Sequence, residues 1–102
     1  MARLVVLYHT PSDTAAFDKH YFETHVPIAK RIPGLRKYEV SKGPIGTPAG
    51  PSGIHLMATL HFDDVGSVQK AFASPEGQAA AADVRKFATA KVEMLICDSR
   101  EI

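Results

Sequence analysis

The segment RLVVLYH, residues 3–9, limits the possible folds more than any other stretch of the chain. Its apolar side chains fall on both alternating sets, Leu4 and Val6 on one and Val5 and Leu7 on the other. Such a strand needs cover on both faces. The rest of the chain has to supply that cover, or a second molecule does.

Residues 14–32 supply a helix. Phe17, Tyr21, Thr24, His25, Ile28, Ala29 and Ile32 recur at spacings of three and four, forming one apolar stripe. Asp13 or Ser12 can cap its start by accepting from the first free N–H groups. Pro27 lies inside the pattern and lacks a backbone donor, so a kink or an early end is expected there. Pro33-Gly34 stops the helix. LRKYEVSK (35–42) reads as a strand polar enough for a sheet edge. KGPIGTPAGPSG (42–53) reads as a long irregular loop. IHLMATLHF (54–62) alternates as a third strand, with Ile54, Leu56, Ala58, Leu60 and Phe62 on one face. His55, Met57, Thr59 and His61 fall on the other. Asp63-Asp64 opens a short helix carrying Val65, Val68, Ala71 and Phe72. Ser74-Pro75 restarts a helix that runs through alanines to Phe87. KVEMLICD (91–98) closes the chain as a fourth strand.

The order β-α-β-β-α-β predicts a ferredoxin-like α+β fold, an antiparallel four-stranded sheet with both helices on one face. Residues 1–102 are expected to form one domain. Two helices cover one sheet face. Val5, Leu7, Met57, Leu95 and Cys97 leave the other face apolar, and a second copy of the same sheet is its simplest cover. A homodimer packed sheet against sheet is therefore expected. The formal charge of +1, from 12 Lys+Arg and 11 Asp+Glu, gives no basic field for nucleic acid. No apolar run approaches the ~20 residues of a membrane span. The N-terminal apolar run is too short for a secretory leader. A single cysteine, Cys97, forms no internal disulfide and reads as a small core residue. The expected compartment is the cytoplasm.

Five histidines call for a test of metal binding. On a regular helix His20 and His25, five apart, are separated by about 140° and cannot both face one metal. His55 and His61 lie roughly 20 Å apart along their strand. Both of these point to the second sheet face, near the dimer contact. No recognised ligand spacing is present, so no metal is expected. No dinucleotide, phosphate-loop or nucleophile-elbow motif is present either, so no cofactor is assigned. His25 is the sharper candidate, as an imidazole on an apolar stripe. It is either a hydrogen-bonded core residue or a general acid/base working near neutral pH. Tyr21, one turn earlier, and Tyr8, at the end of the first strand, can orient the ring or polarise a ligand oxygen.

FDKHYFETHVPIAKRIPGLRKYEV resembles the signature of EthD-like proteins, within the dimeric α/β-barrel superfamily. The matching features are Tyr21-Phe22, then His25-Val26-Pro27, then Pro33-Gly34-Leu35 leading to Tyr38. The resemblance implies a homodimer whose two sheets close into a barrel, with a ligand cleft between sheet and helices in each protomer. It places His25 at that cleft. The first family member described was associated with degradation of a fuel ether. The wider superfamily includes monooxygenases that need no cofactor, lactone isomerases, polyketide cyclases and haem enzymes. The expected site is therefore His25 and Tyr21 as catalytic residues, with Tyr8, Phe17, Ile28 and His61 in contact with a hydrophobic organic substrate. A small enzyme or enzyme-accessory factor is expected, for which the resemblance implies a cofactor-independent, monooxygenase-like oxidoreductase, and a non-catalytic binding protein or a structural homodimer is the alternative.

Overall fold

A computed structural model describes all 102 residues. Strand β1 (Ala2–His9) leads through a capped turn into α1 (Thr14–His20). Asp13 is the cap, its carboxylate accepting from the Ala16 N–H at 3.0 Å. The helix does not continue as a regular α-helix. Tyr21–His25 form a π turn, and only then does α2 (Val26–Ala29) resume. The Val26 N–H reaches back five residues to the Tyr21 carbonyl. Pro27, which can neither donate nor tolerate the carbonyl four residues before it, lies just beyond this widened turn. The stripe expected to run to Ile32 as helix thus ends at Ala29, and two tight turns carry the chain to Pro33. Gly34 then takes a left-handed φ of 80°, which a side chain would disfavour.

Strand β2 (Lys37–Val40) is shorter than the expected 35–42. Backbone bonds from Arg36 to His61 and from Ser41 to Met57 still prolong its pairing at either end. The 42–53 loop is not wholly irregular. It folds into a small ribbon of β3 (Gly46–Thr47) and β4 (Gly50–Pro51). Strand β5 (Ile54–Phe62) returns to the sheet. Two helices follow, α3 (Val65–Ala73) capped by Asp64 and α4 (Pro75–Phe87) capped by Ser74. Strand β6 (Val92–Asp98) ends the fold.

The main sheet has the order β2-β5-β1-β6, every neighbour antiparallel. This is the ferredoxin-like α+β arrangement expected from the pattern, with β2 at an edge. Ala2, Leu4, Val6 and Tyr8 alternate toward the helices and are buried with Leu56, Ala58, Leu60 and Phe62 of β5. Phe17, Tyr21, Val68, Ala80, Val84 and Phe87 close over them. The opposite face carries Val5, Leu7, Met57, Leu95 and Cys97 and has nothing over it within the chain. Leu95 is 54% exposed, and Cys97 is exposed rather than buried in a core. No helix is long and apolar enough to cross a membrane.

One irregularity changes a side chain's address. The β1–β5 register runs Tyr8↔Leu56 and then His9↔Ile54, which leaves His55 as the extra residue of a β-bulge. Strict alternation would send His55 to the open face beside Met57. The bulge instead turns its ring toward the helices, edge-on to Phe17 with centroids 5.1 Å apart. Its Nε2 lies 2.7 Å from Asp18 Oδ1.

Candidate functional site

The stripe of the first helix carries the site. In a regular α-helix, residues four apart drift by about 40° per step, so Phe17, Tyr21, His25 and Ala29 would spiral off the sheet. The π turn takes up that drift, and all four are buried. Thr24, expected on the stripe, is exposed.

The same widened turn brings His20 and His25 together. Both converge on Asp83 of α4, contrary to the 140° separation expected of a regular helix. His25 Nδ1 donates to Asp83 Oδ2 at 2.9 Å. His20 Nε2 donates to both oxygens, at 3.0 and 3.1 Å. His25 is 5% exposed and Asp83 3%. A carboxylate buried to this degree is costly unless it is paired and hydrogen-bonded. Burial pushes the Asp83 pKa up, but the bonds from His25 and His20 outweigh it and hold the group below the usual carboxylate range. Burial draws the His25 pKa below its ordinary 6.5, although Asp83 pulls the other way. At neutral pH the pair is therefore an ionised Asp83 and a neutral His25 with its proton fixed on Nδ1. Nε2 keeps its lone pair and has no protein partner.

His25 looks into an apolar cleft between sheet and helices. Leu4, Val6 and Tyr8 form its floor with Ala58 and Leu60, while Tyr21, Ala29, Ile32, Ala80 and Val84 form its roof. Phe72, Ala81 and Met94 line it too, and Met94 is 49% exposed. The cleft is narrow, with a cavity volume of about 30 Å³. Tyr21 and Tyr38 hydroxyls meet at 2.6 Å on its wall. Burial first, and the neighbouring Tyr38 second, hold Tyr21 far above the usual phenol range, so it stays protonated. Burial likewise raises Tyr38, against the opposing hydrogen bond from Tyr21. The two hydroxyls share one proton between them and have one left to donate. Tyr8, also raised by burial, presents a hydroxyl with no protein partner.

Three of the expected site residues, His25, Tyr21 and Tyr8, meet at this cleft. Phe17 stands behind it, stacked on Tyr21 with ring centroids 5.8 Å apart. Ile28 lies off the cleft, on a shallow groove with Arg31 and Pro75, because the π turn gives its place to Ala29. His61 is on the opposite sheet face, bonded to Glu39 at 2.7 Å with Arg3 at 3.5 Å. His55, expected on that face, is the one the bulge removes from it. Two members of the site escaped sequence reasoning, Asp83 and the partnership of His20. The signal for Asp83 was a lone carboxylate within the stripe Ala80, Val84 and Phe87 of α4. No group of three or more His, Cys, Asp or Glu side chains is placed to hold a metal ion.

Residues 9–91 match the EthD domain. The chain is 39% identical over 102 residues to an uncharacterised 11.0 kDa protein of Rhodococcus erythropolis, covering 100% of this chain and 98% of that one. It superposes on the crystal structure of an ethyl tert-butyl ether D (EthD) family protein from Bacillus halodurans with a TM-score of 0.89 at 40% identity. That match covers 98% of this chain and 99% of the other. SnoaB, a cofactor-independent oxygenase from Streptomyces nogalater, shares the fold at a TM-score of 0.69 and 15% identity, over 99% and 94% of the two chains.

Proposed function

The chain belongs to the EthD family, and from that premise we propose that it acts on a hydrophobic organic molecule held between sheet and helices. His25 is the acid/base in this reading. The observation that carries it is a buried imidazole, tied through Nδ1 to an ionised Asp83 at 2.9 Å, whose Nε2 is uncommitted at an apolar cleft. A neutral imidazole so oriented accepts a proton at Nε2, and Asp83 stabilises the imidazolium that results. The spare proton of the Tyr21–Tyr38 pair donates to the ligand oxygen on which charge develops. Together they suit removal of a proton from a carbon or hydroxyl adjoining a carbonyl or ring. The resulting electron-rich anion can give electrons directly to dioxygen, which is the oxidant and second substrate of a cofactor-independent oxidation. A base of this kind contributes ~10²–10⁴-fold. We place the working form, one EthD-like unit over residues 1–102, as a cytoplasmic homodimer packed through the open sheet face.

Native mass spectrometry of the protein purified from its own cell tests the reading, by looking for a retained small molecule. With that molecule as substrate, His25→Asn is expected to lose at least a hundredfold in turnover while remaining folded. Full turnover in a folded variant would overturn it. The narrowness of the cleft supports a second reading, a non-catalytic binder or a structural homodimer. A binder releases its ligand unchanged and shows a raised melting temperature with it, whereas a structural homodimer retains no ligand at all.

A further inference from the structure

Outside the cleft, the largest unused feature is a groove beside the bulge at His55. It runs between the π turn, the end of β2 and the 42–53 loop. The groove has a volume of about 640 Å³, open to solvent on its outer side, and admits a small organic molecule. Its outer wall is built rather than loose. Thr10 bonds Gly53 O through both its N–H and its hydroxyl at 3.0 Å, and Ser52 bonds Ile45 O at 2.6 Å through its hydroxyl. The wall's hydroxyls are thus spent on backbone: Thr10 on Gly53, Ser52 on Ile45 and Ile54, and Ser41 on the Met57 N–H.

Two groups lining the groove remain for a ligand. Lys42 has no ion-pair or hydrogen-bond partner, whereas Asp18, the other charged group there, is engaged by His55 at 2.7 Å. With Nε2 bonded to Asp18, the second ring nitrogen of His55, Nδ1, has no protein partner. Phe22, 49% exposed, and Ile45 give the groove an apolar side. β-Bulges are over-represented beside active sites, where they re-aim a side chain, and this one brings His55 to the groove's lining.

We propose that this groove is a second ligand site, distinct from the His25 cleft, that takes a small hydroxylated aromatic carboxylate. The carboxylate meets Lys42, the hydroxyl hydrogen-bonds with His55 Nδ1, and the ring lies against Phe22 and Ile45. The proposal does not depend on catalysis at His25.

The probe is 4-hydroxybenzoate, titrated into isotope-labelled full-length protein while backbone and imidazole resonances are followed by NMR. Saturable shifts at Ser41–Gly53 and at the His55 ring are expected. Lys42→Gln is expected to weaken binding about tenfold, and so is replacing the probe by 4-hydroxybenzamide, which lacks the charge. Benzoate, which lacks the hydroxyl, is expected to bind as weakly, with its residual affinity indifferent to His55→Gln. Lys42 is exposed, so its variant keeps the fold. Absence of saturable shifts overturns the proposal. So do shifts confined to Tyr8 and His25, or an affinity unchanged by Lys42→Gln.

Discussion

A carboxylate buried beside two histidines stays charged only while they donate to it, so the site depends on the residue that no sequence motif announced. Asp83→Asn keeps the shape but puts an NH2 donor in place of one carboxylate oxygen where two imidazole N–H groups converge. The expected cost is about 1–3 kcal/mol, from one donor left unsatisfied in the interior. Urea denaturation measures it, and imidazole ¹⁵N shifts follow the accompanying loss of the Nδ1–H tautomer of His25. Unchanged stability together with an unchanged tautomer would show that the charge of Asp83 does not matter. The sign of the pH dependence follows from burial. Because burial holds the His25 pKa below 6.5, the unfolded chain takes up a proton that the folded chain refuses. Its contribution is present above that pH and is lost as pH falls through the lowered folded value. Asp83, also lowered, adds a second loss below about 3.8. His25→Asn is expected to flatten the upper limb when urea midpoints at about pH 7.5 and about pH 5.5 are compared. A wild-type slope in the variant would place the effect on another group.

At the scale of elements, what decides the site is two one-residue shifts. Period two in residues 3–9 and 54–62 made β1 and β5 legible, and Ser74-Pro75 and Asp64 made the starts of α4 and α3 legible. Each of those signals is a repeat or a cap, carried by several residues in register. The π turn at Tyr21–His25 and the bulge at His55 are insertions of one residue, and one residue leaves no periodic trace. That is why His20 read as pointing away from His25, and His55 as lying on the open face. Pro27 did mark the helix as irregular, but not the direction in which it would adjust. At the junction of α3 and α4, Gly77 leaves no room for a side chain. A Cβ at Gly77 would stand 2.0 Å from the Ala71 carbonyl oxygen and 2.8 Å from its carbon. The neighbour is backbone, already bonded by the Ser74 hydroxyl, and cannot rotate away. Gly77→Ala is therefore expected to destabilise by about 1–3 kcal/mol, against the usual gain from removing a helical glycine. A scan of melting temperature checks it. A variant as stable as wild type would mean that the two helices can part without loss, and with them the wall that holds Asp83.

For the whole molecule, the open sheet face is what the single chain leaves unexplained. Val5 and Leu7 are half-buried by their neighbours alone, Met57 is 37% exposed and Leu95 54%. Around this apolar centre lie Arg3, Lys37, Glu39 and Glu93, charges of both signs in a ring. A second copy turned about a two-fold axis can set opposite signs against one another there. An exposed Cys97 on the same face fits a surface meant to be covered. A stable dimer needs about 1,200–2,000 Å² of total buried surface, which a four-stranded sheet face of this kind can supply from both sides. Leu7→Lys faces away from His25 and Asp83, so it tests assembly without touching the cleft. Sedimentation is expected to show wild type at twice the 11.1 kDa chain mass and the variant at 11.1 kDa itself, with the helical signal retained. If the variant still sediments as a dimer, the second copy sits elsewhere. The exposed apolar run Met94–Ile96 on the β6 edge is then the surface to substitute next, since an unpaired apolar edge is itself prone to pairing.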